Sequence, residues 1–153
     1  MKSINRRSAR VFAMELLYSM EITMHSVGDC VEGVLASIKE ASKKELPAEM
    51  KRYGMSLVDL VQEHRAEFEE IIKTTAHDWD LDRMALLDRI ILCLALAELQ
   101  YEPDVPVKVV LEEAVQISNK FSTESSSRFI NGILNQYARD KGMLAKGDRS
   151  EEK

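Results

Sequence analysis

Between residues 86 and 99 the chain offers almost no polar face. Leu86, Leu87, Ile90, Ile91, Leu92, Leu94, Ala95, Leu96 and Leu99 leave only Asp88, Arg89 and Glu98 as charged positions in that run. A helix that is apolar nearly all round has to be surrounded by other elements. The segment therefore predicts a central helix, about residues 83–100, with the rest of the fold wrapped on it. Its longest apolar run, residues 90–97, is far short of the ~20 residues needed to span a bilayer.

The flanking segments supply helices to do the wrapping. Ala9, Phe12, Ala13, Leu16, Leu17 and Met20 recur at the spacing of one continuous helical face, and Asn5 stands where an N-cap is wanted. A second helix is expected over about residues 29–41, with Val31, Val34, Leu35 and Ile38 inward. Pro47 stands at the first position of a long third helix. Met50, Tyr53, Leu57, Val61, His64, Phe68 and Ile72 keep its period, and Gly54 is its weak point. Asp80 or Asp82 is the expected cap of the central helix. Prolines at 103 and 106 punctuate the next loop. Two more helices follow, one carrying Val110, Leu111, Ala114 and Ile117, the other Ile130, Ile133, Leu134 and Tyr137. The expectation is an all-α protein of six or seven helices, one domain over residues 1–142, and a charged, disordered tail over 143–153.

Chemistry is sparse. His25, His64 and His77 have no paired ligand spacing, and no Cys-x-x-Cys or His-Glu-x-x-His occurs. There is no glycine-rich phosphate loop and no nucleophile elbow. No metal, no cofactor and no catalytic residue is expected, and the chain reads as a binding protein and not an enzyme. Cys30 and Cys93 make no disulfide framework and read as reduced, buried residues. The basic start leads into an amphipathic segment with Glu15 and Glu21 and not into an apolar leader, so the expected location is the cytoplasm.

What stands out is charge placement. Lys2, Arg6, Arg7 and Arg10 put four positive charges and no negative one in the first ten residues, leaving −9 on the remainder of a chain whose net charge is −5. Cations at a helix N-terminus oppose the macrodipole, at ~0.3–1 kcal/mol each. Guanidiniums together suit phosphates and stack on bases, so the cluster reads as a polyanion anchor. A second candidate surface is the polar connection of residues 122–127, with Arg128 beside it and Phe121 and Phe129 flanking it. Helix N-terminal amides bind phosphate oxygens, and aromatics beside a loop stack unpaired bases. Both phenylalanines also fit the core stripe, and at least one is expected to pack there.

Four motifs in order carry a family resemblance. They are Arg6-Arg7-Ser8-Ala9-Arg10 with Ala13-Met14-Glu15-Leu16-Leu17-Tyr18; Asp88-Arg89-Ile90-Ile91-Leu92 with Glu98-Leu99; Asp104-Val105-Pro106-Val107-Lys108-Val109-Val110 with Glu113-Ala114-Val115; and Phe129-Ile130-Asn131-Gly132-Ile133-Leu134. Together, over about residues 5–137, they resemble the transcription antitermination factor family NusB. The resemblance implies two small helical bundles around a shared core. It implies binding to the single-stranded boxA element of ribosomal RNA leaders, jointly with the small-subunit ribosomal protein NusE, in a complex with RNA polymerase that suppresses termination. It implies RNA contacts at Arg6, Arg7 and Arg10, with Lys2, and at Phe121, Ser122, Ser125, Ser126, Arg128 and Phe129. NusE contacts are implied at Tyr18, Asp88, Glu98 and Glu113, and some members of the family self-associate, which leaves a homodimer open.

Asn131 has two open readings, a structural bond to nearby backbone and an RNA contact. Gly132 reads as a point of close helix approach. The chain departs from the family pattern at Ser8, Cys93, Ala97 and Glu112. Its stretch over residues 42–53 is longer than the pattern and has no functional reading. The competing function is a helical protein–protein adaptor with weak or no RNA binding. A third reading, an RNA-recognition piece of a cytosine methyltransferase, lacks the βαβ pattern a cofactor domain would show.

Overall fold

A computed structural model describes residues 5–76 and 84–144. Every regular element among them is a helix: α1 (Arg7–Thr23), α2 (Val27–Ser42), α3 (Ala48–Ala76), α4 (Leu86–Tyr101), α5 (Val107–Phe121) and α6 (Glu124–Asp140). None of them is long and apolar enough to cross a membrane. The chain divides into two compact units, Met1–Glu63 and His64–Lys153.

In the first unit α1 buries Ala9, Phe12, Ala13, Leu16 and Leu17 of the stripe expected of it, whereas Met20 is only half-buried. Asn5 does begin this helix, one position further out than a cap: its Oδ1 accepts from the Arg7 amide at 2.9 Å. Met24, with φ 61°, closes the helix in the left-handed conformation. Ser26 caps α2, accepting the Asp29 amide at 3.3 Å. Cys30 and Val34 are buried in α2, whereas Val31, Leu35 and Ile38 are only half-buried.

Gly54 behaves differently from the expectation that α3 would weaken there. A Cβ at this position would lie 2.6 Å from a Phe12 ring carbon and 2.8 Å from the Ala9 carbonyl oxygen. The glycine is a close-approach point between α1 and α3. The kink in α3 comes ten residues later, at His64, whose φ −115° and ψ 19° leave the helical region. Its ring stacks on Tyr101 at 4.3 Å, and its Nδ1 lies 3.2 Å from the Tyr101 hydroxyl. Tyr101 donates to Glu67 at 2.8 Å. Ring and hydroxyl together hold the displaced turn.

In the second unit α4 is the central helix the composition demanded: residues 90–98 are all buried. It starts at Leu86, later than expected, with Ala85 as an N-cap that makes no side-chain bond. The caps expected at Asp80 or Asp82 lie outside the described residues. Helices α5 and α6 pack on each other and on α4. The polar connection is shorter than the sequence indicated, because α6 already begins at Glu124. Thr123 caps it, its Oγ1 accepting the Ser126 amide at 3.0 Å. Most of the charged tail, from residue 145 onward, also lies outside the described residues.

Candidate nucleic-acid interface

The arginine cluster at the head of α1 does not act as one unit. Lys2 lies outside the described residues. Arg6 is the N-cap residue, with no side-chain cap bond. It is half-buried, its guanidinium lying 4.2 Å from the centre of the Tyr53 ring. Arg7 is exposed, as is Ser8 beside it. Arg10 is only 5% exposed and engaged by a partner within the protein. A buried guanidinium has to be paired, since an unpaired charge there costs far more than it returns. Arg10 is therefore part of the packing of α1, and the solvent-facing anchor reduces to Arg6 and Arg7. The first turn of α1 carries no acidic residue to offset them.

The second surface is organised by a carboxylate. Asp88, in the first turn of α4, is 6% exposed. Its Oδ1 accepts from Ser122 Oγ at 2.9 Å and its Oδ2 from Ser126 Oγ at 2.7 Å. Ser126 Oγ in turn accepts from Thr123 Oγ1 at 3.0 Å. Asp88 was expected to meet a protein partner. The structure instead makes it the clamp that fixes the start of α6, because a buried carboxylate is stable only when its lone pairs are filled. Ser122 and Ser126 spend their protons on this clamp, while Ser125 stays exposed.

Arg128 points outward, its side chain 73% exposed, with Glu124 at 3.7 Å one turn away. An exposed pair of this kind holds little energy, so Arg128 can exchange Glu124 for an anion. Arg128, Asn131 and Ser127 from α6, with Glu112 and Val115 from α5, line a shallow groove of about 290 Å³. Asn131 is exposed, and its Oδ1 accepts from Asn135 Nδ2 at 2.8 Å. Neither Phe121 nor Phe129 is fully buried. Lys120 Nζ lies 5.5 Å from the Phe121 ring. Gly132 is exposed, with open space around the position of a Cβ, so the close helix approach expected there does not occur.

Of the remaining positions named for a protein partner, Tyr18 is 42% exposed on α1, near the more open Ile22. Glu98 is 2% exposed and Glu113 half-buried, and both are engaged within the protein. Glu98 has no surface to offer a docked chain. Sequence reasoning missed Ile22 and Val115. Ile22 was legible as an apolar residue one turn beyond Tyr18, off the buried stripe. The groove residues of α5 were not, since their meeting with α6 is a tertiary fact. Among the described residues no group of three or more His, Cys, Asp or Glu is placed to hold a metal ion. Cys30 and Cys93 are free and buried, and burial pushes the Cys93 thiol up to about 12.

Comparison with known proteins gives this geometry a family. The chain is 37% identical over 133 residues to the transcription antitermination protein NusB of Myxococcus xanthus, covering 87% of this chain and 94% of that one. Its fold matches that of T. maritima NusB with a TM-score of 0.77 at 26% identity, over 99% of each chain. It also matches a NusB chain solved in a complex of the antitermination factors NusB and NusE with dsRNA, at a TM-score of 0.74 and 24% identity, over 88% of this chain and 96% of that one. At that identity the likeness speaks for the fold alone. The NusB family model itself matches residues 7–139, from the head of α1 almost to the end of α6, and the chain belongs to the NusB family.

Proposed function

We propose that the protein is a transcription antitermination factor. It binds boxA-type single-stranded RNA of ribosomal RNA leaders together with NusE and helps RNA polymerase read through terminators. The observation that carries this reading is the pair Arg6 and Arg7, one against the Tyr53 ring and one exposed, on a chain whose net charge is −5. A small cationic patch on an anionic body confines a polyanion to one place. The Asp88-clamped turn supports it by holding Ser125 and Arg128 on a defined helix start. Tyr18 and Ile22 offer the apolar surface that a protein partner would cover. The role is binding and not catalysis, exercised in the cytoplasm on nascent RNA.

The test is fluorescence anisotropy of labelled boxA-type RNA, with and without NusE, at two salt concentrations, against a double-stranded control. Two phosphate contacts, at Arg6 and Arg7, give a log–log salt slope of ~−1.4, from ~0.7 per phosphate on a single strand, so binding by the isolated protein should be weak and strengthened by NusE. Capture of NusE with no RNA binding in its presence would replace this reading with that of a protein–protein adaptor.

A further inference from the structure

The segment of residues 42–53, which the sequence left without a function, contributes to a pocket that two arginines and an aromatic ring face together. Arg6, Glu49, Met50, Arg52 and Tyr53 line it, with a volume of about 260 Å³. All five belong to the unit Met1–Glu63. The Arg6 guanidinium lies on the Tyr53 ring at 4.2 Å. Met50 is buried, Tyr53 half-buried, and Arg52 and Glu49 exposed.

A guanidinium is planar and has two faces. The Tyr53 ring lies against one side of the Arg6 guanidinium. The other face and the in-plane N–H groups are what an incoming group would meet. A nucleobase stacks on such a platform without regard to its identity. Arg52, on the same pocket wall, brings a second charge for the phosphate that accompanies the base. Glu49 brings an acceptor and no donor. It disfavours a bare phosphate and matches a ribose 2′-hydroxyl, the group by which a protein distinguishes RNA from DNA. The volume, just under the usual range of ligand clefts, suits one nucleoside and not a longer stretch.

We propose that Arg6, Tyr53, Arg52 and Glu49 form a single-nucleotide subsite for RNA. In it a base stacks on the Tyr53-backed guanidinium of Arg6, Arg52 neutralises the adjoining phosphate, and Glu49 accepts from the ribose 2′-hydroxyl. This rests on the RNA-binding reading above and adds the start of α3 to it.

The experiment is an anisotropy titration of the full chain, with NusE present, against boxA-type RNA and DNA of the same sequence across a salt series. Arg52→Gln, an exposed position, should weaken RNA binding several-fold at low salt and reduce the log–log slope by ~0.7. Tyr53→Leu should weaken RNA binding with the slope unchanged, and Tyr53→Phe should recover most of that loss. Glu49→Gln should narrow the preference for RNA over DNA. Circular dichroism melts of each variant separate loss of binding from loss of fold. Wild-type affinity and slope in Arg52→Gln, together with undiminished binding by folded Tyr53→Leu, overturn the subsite. If Arg7→Ala still weakens RNA binding in that case, the RNA-binding reading survives. If the wild-type chain binds no RNA even with NusE, that reading fails and the subsite with it.

Discussion

Single residues on this protein are decided by what surrounds them. Gly132 occupies an exposed helical position with open space about it. Glycine there sacrifices helix propensity for no packing gain, so Gly132→Ala should stabilise the fold by up to about 1 kcal/mol, read as a rise in Tm. Glu15 on α1 is the opposite case. Burial raises its carboxyl above the ordinary 4.5. The folded chain therefore holds that proton more tightly than the unfolded chain, and its contribution to stability declines as pH rises from 4.5 through the raised value. Glu15→Gln should raise Tm at pH 7, and the difference from wild type should shrink toward zero below pH 4. The Gly132 environment was not legible in the family motif that contains it, because a motif marks a position without saying which side of a helix it faces. Glu15 was legible only as a charge on an amphipathic helix.

At the scale of elements, the close approach of α1 to α3 and the start of α6 each depend on one residue. At Gly54 the atom facing a new methyl is a backbone carbonyl as well as a ring carbon, so the helices must shift to admit it. Gly54→Ala should cost on the order of 1–3 kcal/mol despite alanine's better propensity, measured as a lower urea midpoint. At the start of α6, Asp88→Ala removes the acceptor of two hydroxyl protons. Hydrogen bonds to a charged group are worth ~1.5–3 kcal/mol each. The variant should lose on the order of 2 kcal/mol, with faster amide exchange at Ser126 and Ser127 as the local sign. Helices were legible wherever a stripe of apolar residues repeated: α1 buries all but Met20 of the residues its period marked, and α4 is buried over residues 90–98 as its composition required. Helix ends were less so. Thr123 caps α6 inside a run of five hydroxyl residues interrupted by Glu124, any hydroxyl of which could have served, and only the hydrogen bonds distinguish it. The kink of α3 at His64 had no local signal, since Tyr101, which holds it, lies 37 residues further along the chain.

For the molecule as a whole, charge and burial divide the arginines by role. Arg7→Ala should reduce the salt slope of RNA binding by ~0.7 while leaving the helical content unchanged. Arg10→Ala should lower Tm, since it empties a buried, paired site. If Arg10→Ala melts like wild type, its burial is not structural. The chain's sequence by itself determined that it would be all-helical, that residues 86–99 would run through an interior, and that its first ten residues would carry positive charge with no negative charge among them. These follow from periodicity, composition and net charge, which are properties of neighbours along the chain. It also carried the ordered motifs by which the family was legible. Only the tertiary structure decided which charged residues remain available to a ligand. Arg10, Asp88 and Glu98 look like surface groups in sequence and are withdrawn in the fold, while Arg52 and Tyr53 meet Arg6 across more than forty residues. Burial and pairing depend on groups brought together through space, and a linear spacing rule does not contain them.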